Sequence, residues 1–486
     1  MKRKFDILIY ILIFIFIGCT PKKEKNDSVY RTVICGKIQH LEVYPTTKEI
    51  FAEVIDFRDR KTVFKDSIQK DGTFKIIFDL YGVQDIKMRP LLDRLILHPG
   101  DSLFILLDFS DLSKVQFSGD RAESNQALRK YLWSNAGTII FYSRDKIEPE
   151  DYKLFCDSIR IEKLKLRQEY IQNEKPPKEI EQWTEDYIKI NYFNSLLTYP
   201  LNYFSRDTEA YKTYFKTSSY FEFIDSIENN FTDFGNSIIN SDIYNLLNNY
   251  EHYFIMQLVN NQTKQDSITM LEVSYAMFNI QSMSVFQQML ISNFYYQMLC
   301  GNYVTLFDSL KFRLDSAIKV PYINKPLFDY YASVKKNMEN PEFASNTIFS
   351  KMGIDGKNLL DSIIAENKGK VLFVDLWATW CGPCLEGMKA SKEIMPRYKN
   401  KDIEFIFLCV NSTEENWKAT LSKFKIGGIH YFCNNDQSKD IRRALGVEGI
   451  PHYIMINRQG YVVEPDCLGL EHQTTLKKID QLLKEK

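Results

Sequence analysis

Short alternating runs of apolar and polar residues fill the chain from residue 29 to residue 120. Alternation with a period of two predicts strands that bury one face. Asp71-Gly72 lies between two of these runs and is a strong hairpin signal, and Pro99-Gly100-Asp101 marks another turn. We therefore expect an antiparallel β-sandwich over residues 29–120, with a barrel as the alternative. The clearest runs are Glu49–Phe57, Thr62–Gln69, Thr73–Asp79 and Arg94–Asp108.

The pattern changes over residues 121–345. Only three glycines occur between Ala122 and Ser345, and large apolar residues recur at spacings of three and four, as in Tyr152, Phe155 and Ile159. This spacing predicts amphipathic helices. We expect an all-α middle region of seven to nine helices, with prolines marking the connections between them. These prolines are Pro149, Pro176, Pro177, Pro200 and Pro321.

Predicted strands and helices alternate over residues 346–486. Val371–Trp377 and Ile403–Val410 are apolar runs typical of buried strands, and a helical pattern follows each of them. This order predicts an α/β sheet covered on both faces, with a terminal hairpin that adds antiparallel strands. The other predicted elements are helices at Gly382–Tyr398, Glu414–Phe424, Ser438–Leu445 and His472–Lys484, and strands at Ile429–Cys433, His452–Asn457 and Tyr461–Val463.

Residues 1–19 have the features of an export signal. Three basic residues, Lys2, Arg3 and Lys4, precede the apolar run Ile7–Ile17, which is too short to span a bilayer comfortably. The run ends in Phe-Ile-Gly-Cys, which resembles a bacterial lipobox and implies that Cys19 is lipidated and becomes the mature N-terminus. The polar residues 20–28 would then tether the protein to a membrane, facing the periplasm. A plain signal peptide or an uncleaved anchor is the alternative.

Composition narrows the choice of partners. The 486 residues include 62 basic and 63 acidic side chains, so charge gives no indication of a nucleic-acid partner. Hydrophobic residues make up 44% of the chain, which is ample for large cores. Besides Cys19 and a Cys-x-x-Cys pair, six of the nine cysteines are scattered without the spacing of a disulfide framework.

The candidate chemistry lies in the segment VLFVDLWATWCGPC, residues 371–384. A buried strand leads into a Cys-x-x-Cys that opens a helix, and unpaired N–H groups at a helix N-terminus favour thiolate over thiol. We therefore expect Cys381 to be the nucleophile and Cys384, one turn further, to resolve the mixed disulfide. Pro383 suits the first helical turn, where its missing N–H has no acceptor.

Two sequence motifs carry a family resemblance. WATWCGPC at Trp377–Cys384, followed by GVEGIP at Gly446–Pro451, resembles a thioredoxin-fold oxidoreductase. An additional strand–helix unit between Cys381 and Pro451 resembles the TlpA/ResA-like group of membrane-tethered thiol–disulfide oxidoreductases. The β-rich region resembles the domain of unknown function that precedes thioredoxin domains in Bacteroidetes lipoproteins. The likeness of the β-rich region to that domain rests on DGTF at Asp71–Phe74, LHPGDSL at Leu97–Leu103 and FSGDRAESNQAL at Phe117–Leu128.

The resemblance implies roles for further residues. Asp375 corresponds to the family's buried carboxylate, which exchanges a proton with the second cysteine. Ile450-Pro451 corresponds to the cis-proline loop that lines the substrate, and Trp380 would shield one side of the disulfide. The Gly382-Pro383 dipeptide resembles thioredoxin and favours reduction of disulfide-containing protein substrates, with electrons from a transmembrane thiol donor. Neither a metal nor another cofactor is expected.

One departure from the group follows the second cysteine. Group members carry a Glu and then a Pro in this helix, whereas here Glu386 stands one place early and Lys389 replaces the proline. The helix kink and a carboxylate role for Glu386 are therefore in question.

Other functions remain open at this point. A zinc site would need two more ligands, for which His430 and Cys433 are the nearest candidates in sequence. A peroxiredoxin would carry a proline where Val374 stands, and Cys381–Cys384 could also be a purely structural disulfide. The protein could instead be a disulfide isomerase, or a binding lipoprotein in which residues 29–345 recognise a partner and the thioredoxin-like part is accessory.

Overall fold

The computed structural model describes residues 30–55, 62–89, 92–137, 146–204, 208–232, 234, 239–260, 272–273, 276, 284–350 and 358–485. The predicted signal peptide, Cys19 and the tether of residues 20–28 lie outside these ranges. Within them, no helix combines the length and the apolar character that a membrane crossing requires.

The N-terminal region is rich in β-structure, as predicted. It forms two four-stranded sheets, with the strand orders β4-β1-β7-β8 and β3-β2-β5-β6. Burial alternates along strands such as β4 and β7, and the inward side chains of both sheets share one apolar core. The strands are β1 Arg31–Gln39, β2 Glu49–Val54, β3 Thr62–Ser67, β4 Thr73–Asp79, β5 Gln84–Arg89, β6 Leu92–Leu97, β7 Ser102–Asp108 and β8 Gln116–Gly119.

The prediction of a wholly antiparallel arrangement is wrong for one strand pair. Strands β1 and β7 pair in parallel, with Val33 opposite Ser102 and Gln39 opposite Asp108. A parallel pair needs a long connection, and the chain between β1 and β7 supplies it by building β2–β6. Period-two alternation shows which side chains are buried but not the direction of the neighbouring strand. The packing of the two sheets as a sandwich stays a prediction.

The middle of the chain is helical, as predicted. Nine α-helices have described bounds between residues 122 and 339, and the expected total of seven to nine stays a prediction because parts of this region lie outside the described residues. They are α1 Ala122–Leu132, α2 Pro149–Glu174, α3 Lys178–Phe204, α4 Thr208–Thr217, α5 Ile224–Asn230, α6 Ile243–Asn260, α7 Val285–Cys300, α8 Val304–Ala317 and α9 Pro321–Glu339. Pro149 and Pro321 each open a helix, where a missing N–H costs little.

Pro200 does not separate two helices, contrary to prediction. It lies inside α3, which continues to Phe204. A proline in a helix leaves the carbonyl four residues earlier without its N–H partner. Here that carbonyl belongs to Leu196, and the buried Tyr220 hydroxyl donates a hydrogen bond to it at 2.8 Å. A tertiary contact therefore satisfies the group that the proline leaves unpaired.

The C-terminal region is a thioredoxin-like α/β structure. Its six-stranded sheet has the order β14-β13-β10-β11-β12-β9. Strands β9–β12 run parallel to one another, and β13 and β14 add the antiparallel edge next to β10. The strands are β9 Thr347–Ser350, β10 Val371–Trp377, β11 Ile403–Cys409, β12 Gly428–Phe432, β13 His452–Ile456 and β14 Val462–Cys467. The helices are α10 Leu359–Glu366, α11 Gly382–Ile394, α12 Glu414–Phe424, α13 Asn435–Ala444 and α14 Gln473–Leu482.

Contacts divide the chain into two compact units. One comprises Met1–Gln265 with Ser284–Phe286, and the other comprises Asp266–Met283 with Gln287–Lys486. The second unit thus contains α8 and α9 in addition to the six-stranded sheet. The predicted boundary at 345/346 marks the change from helices to alternating strands and helices. As a domain boundary it stays a prediction, as does the assignment of an added strand–helix unit before Pro451.

Candidate active site

The cysteine pair sits where the central strand β10 passes into helix α11. Cys381 is the residue that caps the helix N-terminus, and its Sγ accepts a hydrogen bond from the Cys384 N–H at 3.2 Å. Cys381 and Cys384 are joined by a disulfide, with their Cα atoms 5.2 Å apart. In the reduced protein the same N–H group and the helix dipole would stabilise a Cys381 thiolate.

The two sulfur positions differ in access. Cys384 is completely buried, whereas Cys381 retains a small exposed fraction. Both belong to the core on the α11 side of the sheet, together with Trp377 and Met388. Of the two sulfurs, Cys381 is thus the more accessible from solvent.

Asp375 lies on the same face of the sheet as the cysteines. Alternate residues of β10 point to opposite faces: Phe373 and Trp377 join the core that contains both cysteines, while Val374 and Leu376 join the core on the other face. Asp375 lies two residues from both Phe373 and Trp377, so its side chain is on the same face of the sheet as theirs. Its side chain is fully buried, and neither carboxylate oxygen has a hydrogen-bond partner among the described residues.

This burial changes the acidity of Asp375. Desolvation, and to a lesser extent the negative charge of Glu471, raises the pKa of Asp375 well above its usual value. A carboxyl group with a raised pKa near a cysteine can hold or release a proton at neutral pH, which an ordinary surface aspartate cannot do.

A row of side chains crosses the sheet at the level of Asp375. In register, Cys467 of β14 lies opposite Tyr453 of β13, Tyr453 lies opposite Asp375, and Asp375 lies opposite Phe407 of β11. Burial raises the pKa of the Cys467 thiol to about 12, so this third cysteine stays protonated and is a poor nucleophile. Cys467 is therefore not a candidate for the attacking thiolate, and the prediction of Cys381 stands.

Tyr453 and Gly387 were not recognised from the sequence. A Cβ atom at Gly387 of α11 would lie 2.5 Å from the Tyr453 hydroxyl oxygen, so only glycine lets the active-site helix approach β13 this closely. Alternation along β13 could have placed Tyr453 on the inner face. Its contact with α11 depends on tertiary packing, for which the sequence carries no local signal.

Trp380, Gly382 and Pro383 form the outer rim of the site. Trp380 is 51% exposed, and its indole Nε1–H donates to the carbonyl of Asn411 at 2.7 Å, which fixes the ring beside Cys381. Gly382 and Pro383 are exposed in the first turn of α11, where an added Cβ on Gly382 would meet no atom within 4 Å. This edge of the disulfide is therefore open to solvent.

The loop before β13 supplies the other side of the rim. The Ile450–Pro451 peptide bond is cis, as the family resemblance implies. Ile450 packs against the core that contains Cys381 and Cys384, and Pro451 is half-buried next to it. The structure thus brings together the predicted residues of the cysteine turn and of the proline loop.

Glu386 and Lys389 pair with each other rather than with the cysteines. Their side chains are 2.9 Å apart on the outer face of α11, and the Glu386 side chain is 72% exposed. Helix α11 continues through Lys389 to Ile394. The carboxylate at this position therefore faces solvent.

The residues considered for zinc are buried. The His430 ring stacks on Phe407 with centroids 4.7 Å apart, and its Nε2 lies 3.1 Å from the Gly427 carbonyl oxygen. Desolvation lowers the pKa of His430 to about 4, so the ring is neutral. Cys433 is also fully buried. In the described ranges no three His, Cys, Asp or Glu side chains gather closely enough to hold a metal ion.

Comparison with known proteins finds similarity in the C-terminal region. The redoxin family model matches residues 350–483. Thiol-disulfide oxidoreductase ResA of Bacillus cereus is 26% identical over 159 residues, which cover 33% of this chain and 85% of that protein. ResA of Bacillus anthracis is 28% identical over 138 residues, covering 28% of this chain and 75% of the relative. A thiol:disulfide interchange protein from Bacteroides sp. has 24% identity over 29% of this chain and 94% of its own, with a TM-score of 0.23.

The fold and the cysteine pair define a thioredoxin-like redox protein. Its C-terminal region is similar to the ResA thiol–disulfide oxidoreductases and matches the redoxin family model. The matched segments span 85% and 75% of the length of those relatives but only 33% and 28% of this chain.

Proposed function

We propose that the protein is an exported, lipid-anchored thiol–disulfide oxidoreductase that reduces disulfide-containing protein substrates. The observation that best supports this proposal is the Cys381–Cys384 pair at the N-terminus of α11, in which only Cys381 retains some exposure to solvent. The names of the ResA relatives support the same class of reaction. Reduction rather than oxidation is favoured by the thioredoxin-like Gly-Pro dipeptide between the cysteines.

The reaction transfers two electrons and two protons. The reduced Cys381 thiolate attacks one sulfur of the substrate disulfide, which forms a Cys381–substrate bond and releases the other substrate sulfur as a thiolate that takes up a proton. Cys384 then loses its proton and attacks Cys381 Sγ. This step closes the Cys381–Cys384 disulfide and releases the second substrate thiol, so the substrate is reduced and the protein is oxidised.

Asp375 is suited to the second step. Cys384 is fully buried and cannot pass its proton directly to bulk water. Asp375 lies on the same face of the sheet, has no competing hydrogen-bond partner in the described structure, and has a raised pKa. We assign to it the role of accepting the Cys384 proton during resolution and returning it when the disulfide is reduced again.

Location and electron supply complete the proposal. A lipid on Cys19 would hold the protein at the periplasmic surface of a membrane. There a transmembrane protein with a reactive dithiol would reduce the Cys381–Cys384 disulfide after each turnover. Mass spectrometry of the mature N-terminus tests the anchor: a diacylglyceryl-modified Cys19 supports it, and an unmodified or uncleaved N-terminus contradicts it.

Insulin reduction by dithiothreitol tests the reaction. The full-length protein in detergent should accelerate the reduction, Cys381→Ser should not, and Cys300→Ser should behave like the wild type because Cys300 lies in α7 and is not part of the core that contains the cysteine pair. A wild-type rate equal to that of dithiothreitol alone, or an active Cys381→Ser, would overturn the proposal. In the native host, Cys384→Ala should accumulate mixed disulfides on Cys381, and mass spectrometry of these adducts identifies the substrates.

A further inference from the structure

A basic pocket lies at the C-terminal half of α13, beside the active-site rim. Its volume is about 310 Å³, and its lining consists of Asn411, Lys439, Arg442, Arg443 and Val447. Three of these five residues are cationic, and none is acidic. The residues Lys439, Arg442 and Arg443 are spaced three and four apart, which places them on one face of the helix.

The basic pocket is attached to both segments that flank the disulfide. On one side, the carbonyl of Asn411 accepts the hydrogen bond from Trp380, the residue that precedes Cys381. On the other side, Val447 begins the loop that leads to Ile450 and Pro451, and Ile450 packs on the core that contains the cysteine pair. A chain bound across Trp380 and Pro451 would therefore pass the mouth of the pocket.

Hydrogen bonds hold the wall of the pocket in place. The Ser438 hydroxyl accepts from the Asn411 N–H at 3.0 Å and donates to the Cys433 carbonyl at 3.1 Å, which fixes α13 against the strand ends. The Arg442 guanidinium donates to the carbonyls of Val447 and Glu448, at 3.4 and 2.6 Å. These hydrogen bonds tie Arg442 to the loop that carries the cis-proline. They also hold its charged guanidinium group at the wall of the pocket.

The acidic groups near this face do not neutralise it. Asp436 lies 3.6 Å from Lys439, but the two side chains are 92% and 71% exposed, so water screens the pair. Asp440 is half-buried on the same helix, and Glu448 contributes its carbonyl rather than its carboxylate to Arg442. Arg443 makes no ion pair with any carboxylate in the described structure.

We propose that this basic pocket binds a carboxylate side chain of the substrate, so that the site prefers protein disulfides with an acidic residue close to the attacked cysteine. This inference rests on the proposed reductase function and adds the substrate class to it. Lys439 and Arg443 supply the attraction, and Arg442 shapes the pocket. Because all three charges are close to solvent, the preference should weaken as salt is added.

Two cyclic peptide disulfides that differ only by Glu or Gln two residues from a cysteine test the proposal. The full-length protein is reduced, freed of reductant and mixed with each peptide, and its oxidation rate is followed by intrinsic tryptophan fluorescence. We expect the Glu peptide to react at least about threefold faster at low salt, as for two exposed ion pairs. This ratio should approach one in Lys439→Gln/Arg443→Gln. It should persist in the control Lys392→Gln/Lys399→Gln, which removes two lysines located elsewhere.

A charge-reversal variant distinguishes the loss of the pocket's positive charge from misfolding. Lys439→Glu/Arg443→Glu should prefer a peptide with Lys in place of Glu, an outcome that general damage cannot produce. Equal rates for the Glu and Gln peptides in the wild type, or a preference retained in the double Gln variant, would overturn this inference alone. If the reduced wild type is oxidised by neither peptide, the proposed function itself is contradicted.

Discussion

Replacement of Asp375 by Asn should make the protein more stable and less active. The carboxyl group is fully buried without a hydrogen-bond partner in the described structure, so its ionised form is costly inside the fold. Asn has nearly the same shape but does not ionise. A residue kept only for packing would not combine a gain in stability with a loss of rate.

The magnitude follows from the raised pKa of Asp375. The folded protein keeps this proton to a higher pH than the unfolded chain, whose pKa is near 3.8, so unfolding releases a proton in between. The contribution of Asp375 to stability is therefore full below pH 3.8 and is lost as pH rises through the folded-state pKa. The variant does not titrate, so its advantage over the wild type should grow by about 1.4 kcal/mol per pH unit within this window. Above the folded-state pKa of Asp375, the stability advantage of the variant is constant.

Urea unfolding of the oxidised proteins at several pH values measures this difference. Pulsed hydrogen exchange of a peptide that covers β10 reports the region around Asp375 rather than the whole chain, which need not unfold in one step. The other titrating groups are common to both proteins and cancel in the difference. If the Asn amide changes the free energy of unfolding by an amount that does not depend on pH, the stability difference is shifted by a constant, and its slope against pH is unaffected.

The rate of insulin reduction supplies the second measurement. Without an acceptor for the Cys384 proton, resolution of the mixed disulfide should slow about a hundredfold, the scale of general acid–base catalysis. A stability difference that is independent of pH would refute the raised pKa. An unchanged rate would refute the proton-transfer role even if the pH slope is found.

Three further substitutions test other contacts. Gly387→Ala should lower the free energy of unfolding by about 1–3 kcal/mol because its Cβ would lie 2.5 Å from the Tyr453 hydroxyl oxygen, and Tyr453→Phe should restore most of the loss because the ring Cζ is 3.7 Å away. Urea denaturation of the four proteins checks this, and strictly additive losses would contradict it. Glu386→Gln should leave kcat/KM and its pH profile unchanged, since this side chain is 72% exposed; a lost pH limb would show otherwise. Arg94→Leu should destabilise the first unit by about 3–5 kcal/mol in thermal unfolding, because the buried Asp85 carboxylate, 2.6 Å from Arg94, would lose its ion pair. A Tm equal to that of the wild type would contradict this.

Much of the C-terminal region could be predicted from local sequence. Val371–Trp377 and Glu414–Phe424 have the predicted bounds, because a strand buried on both faces is a continuous apolar run and an amphipathic helix repeats every three to four residues. The position of the cysteine pair at the start of α11 could also be predicted from local sequence. A strand that ends in Cys-x-x-Cys with a proline in the first turn specifies its own local geometry.

Features that depend on distant partners could not be predicted. The row of Cys467, Tyr453 and Asp375 requires the registers of two strand pairs, which no local pattern encodes. Pro200 was expected to end a helix, because the Tyr220 hydroxyl that satisfies the freed carbonyl comes from a different helical segment. The basic pocket likewise combines α13 with Asn411, which is remote from it in sequence.

Helix α12 shows why the sequence does not reveal where the C-terminal unit begins. Its buried residues include the polar Thr420 and Ser422 in addition to the apolar residues that face the sheet. Asn302, before α8, donates to the Thr420 hydroxyl at 2.9 Å, and Ser422 accepts from the Glu342 N–H at 2.8 Å, just after α9. Lys423 adds a contact to Tyr330 of α9 at 2.5 Å. A fragment that starts at residue 346 would expose these groups, so the part of the chain that supports the cysteine pair extends back at least to Asn302.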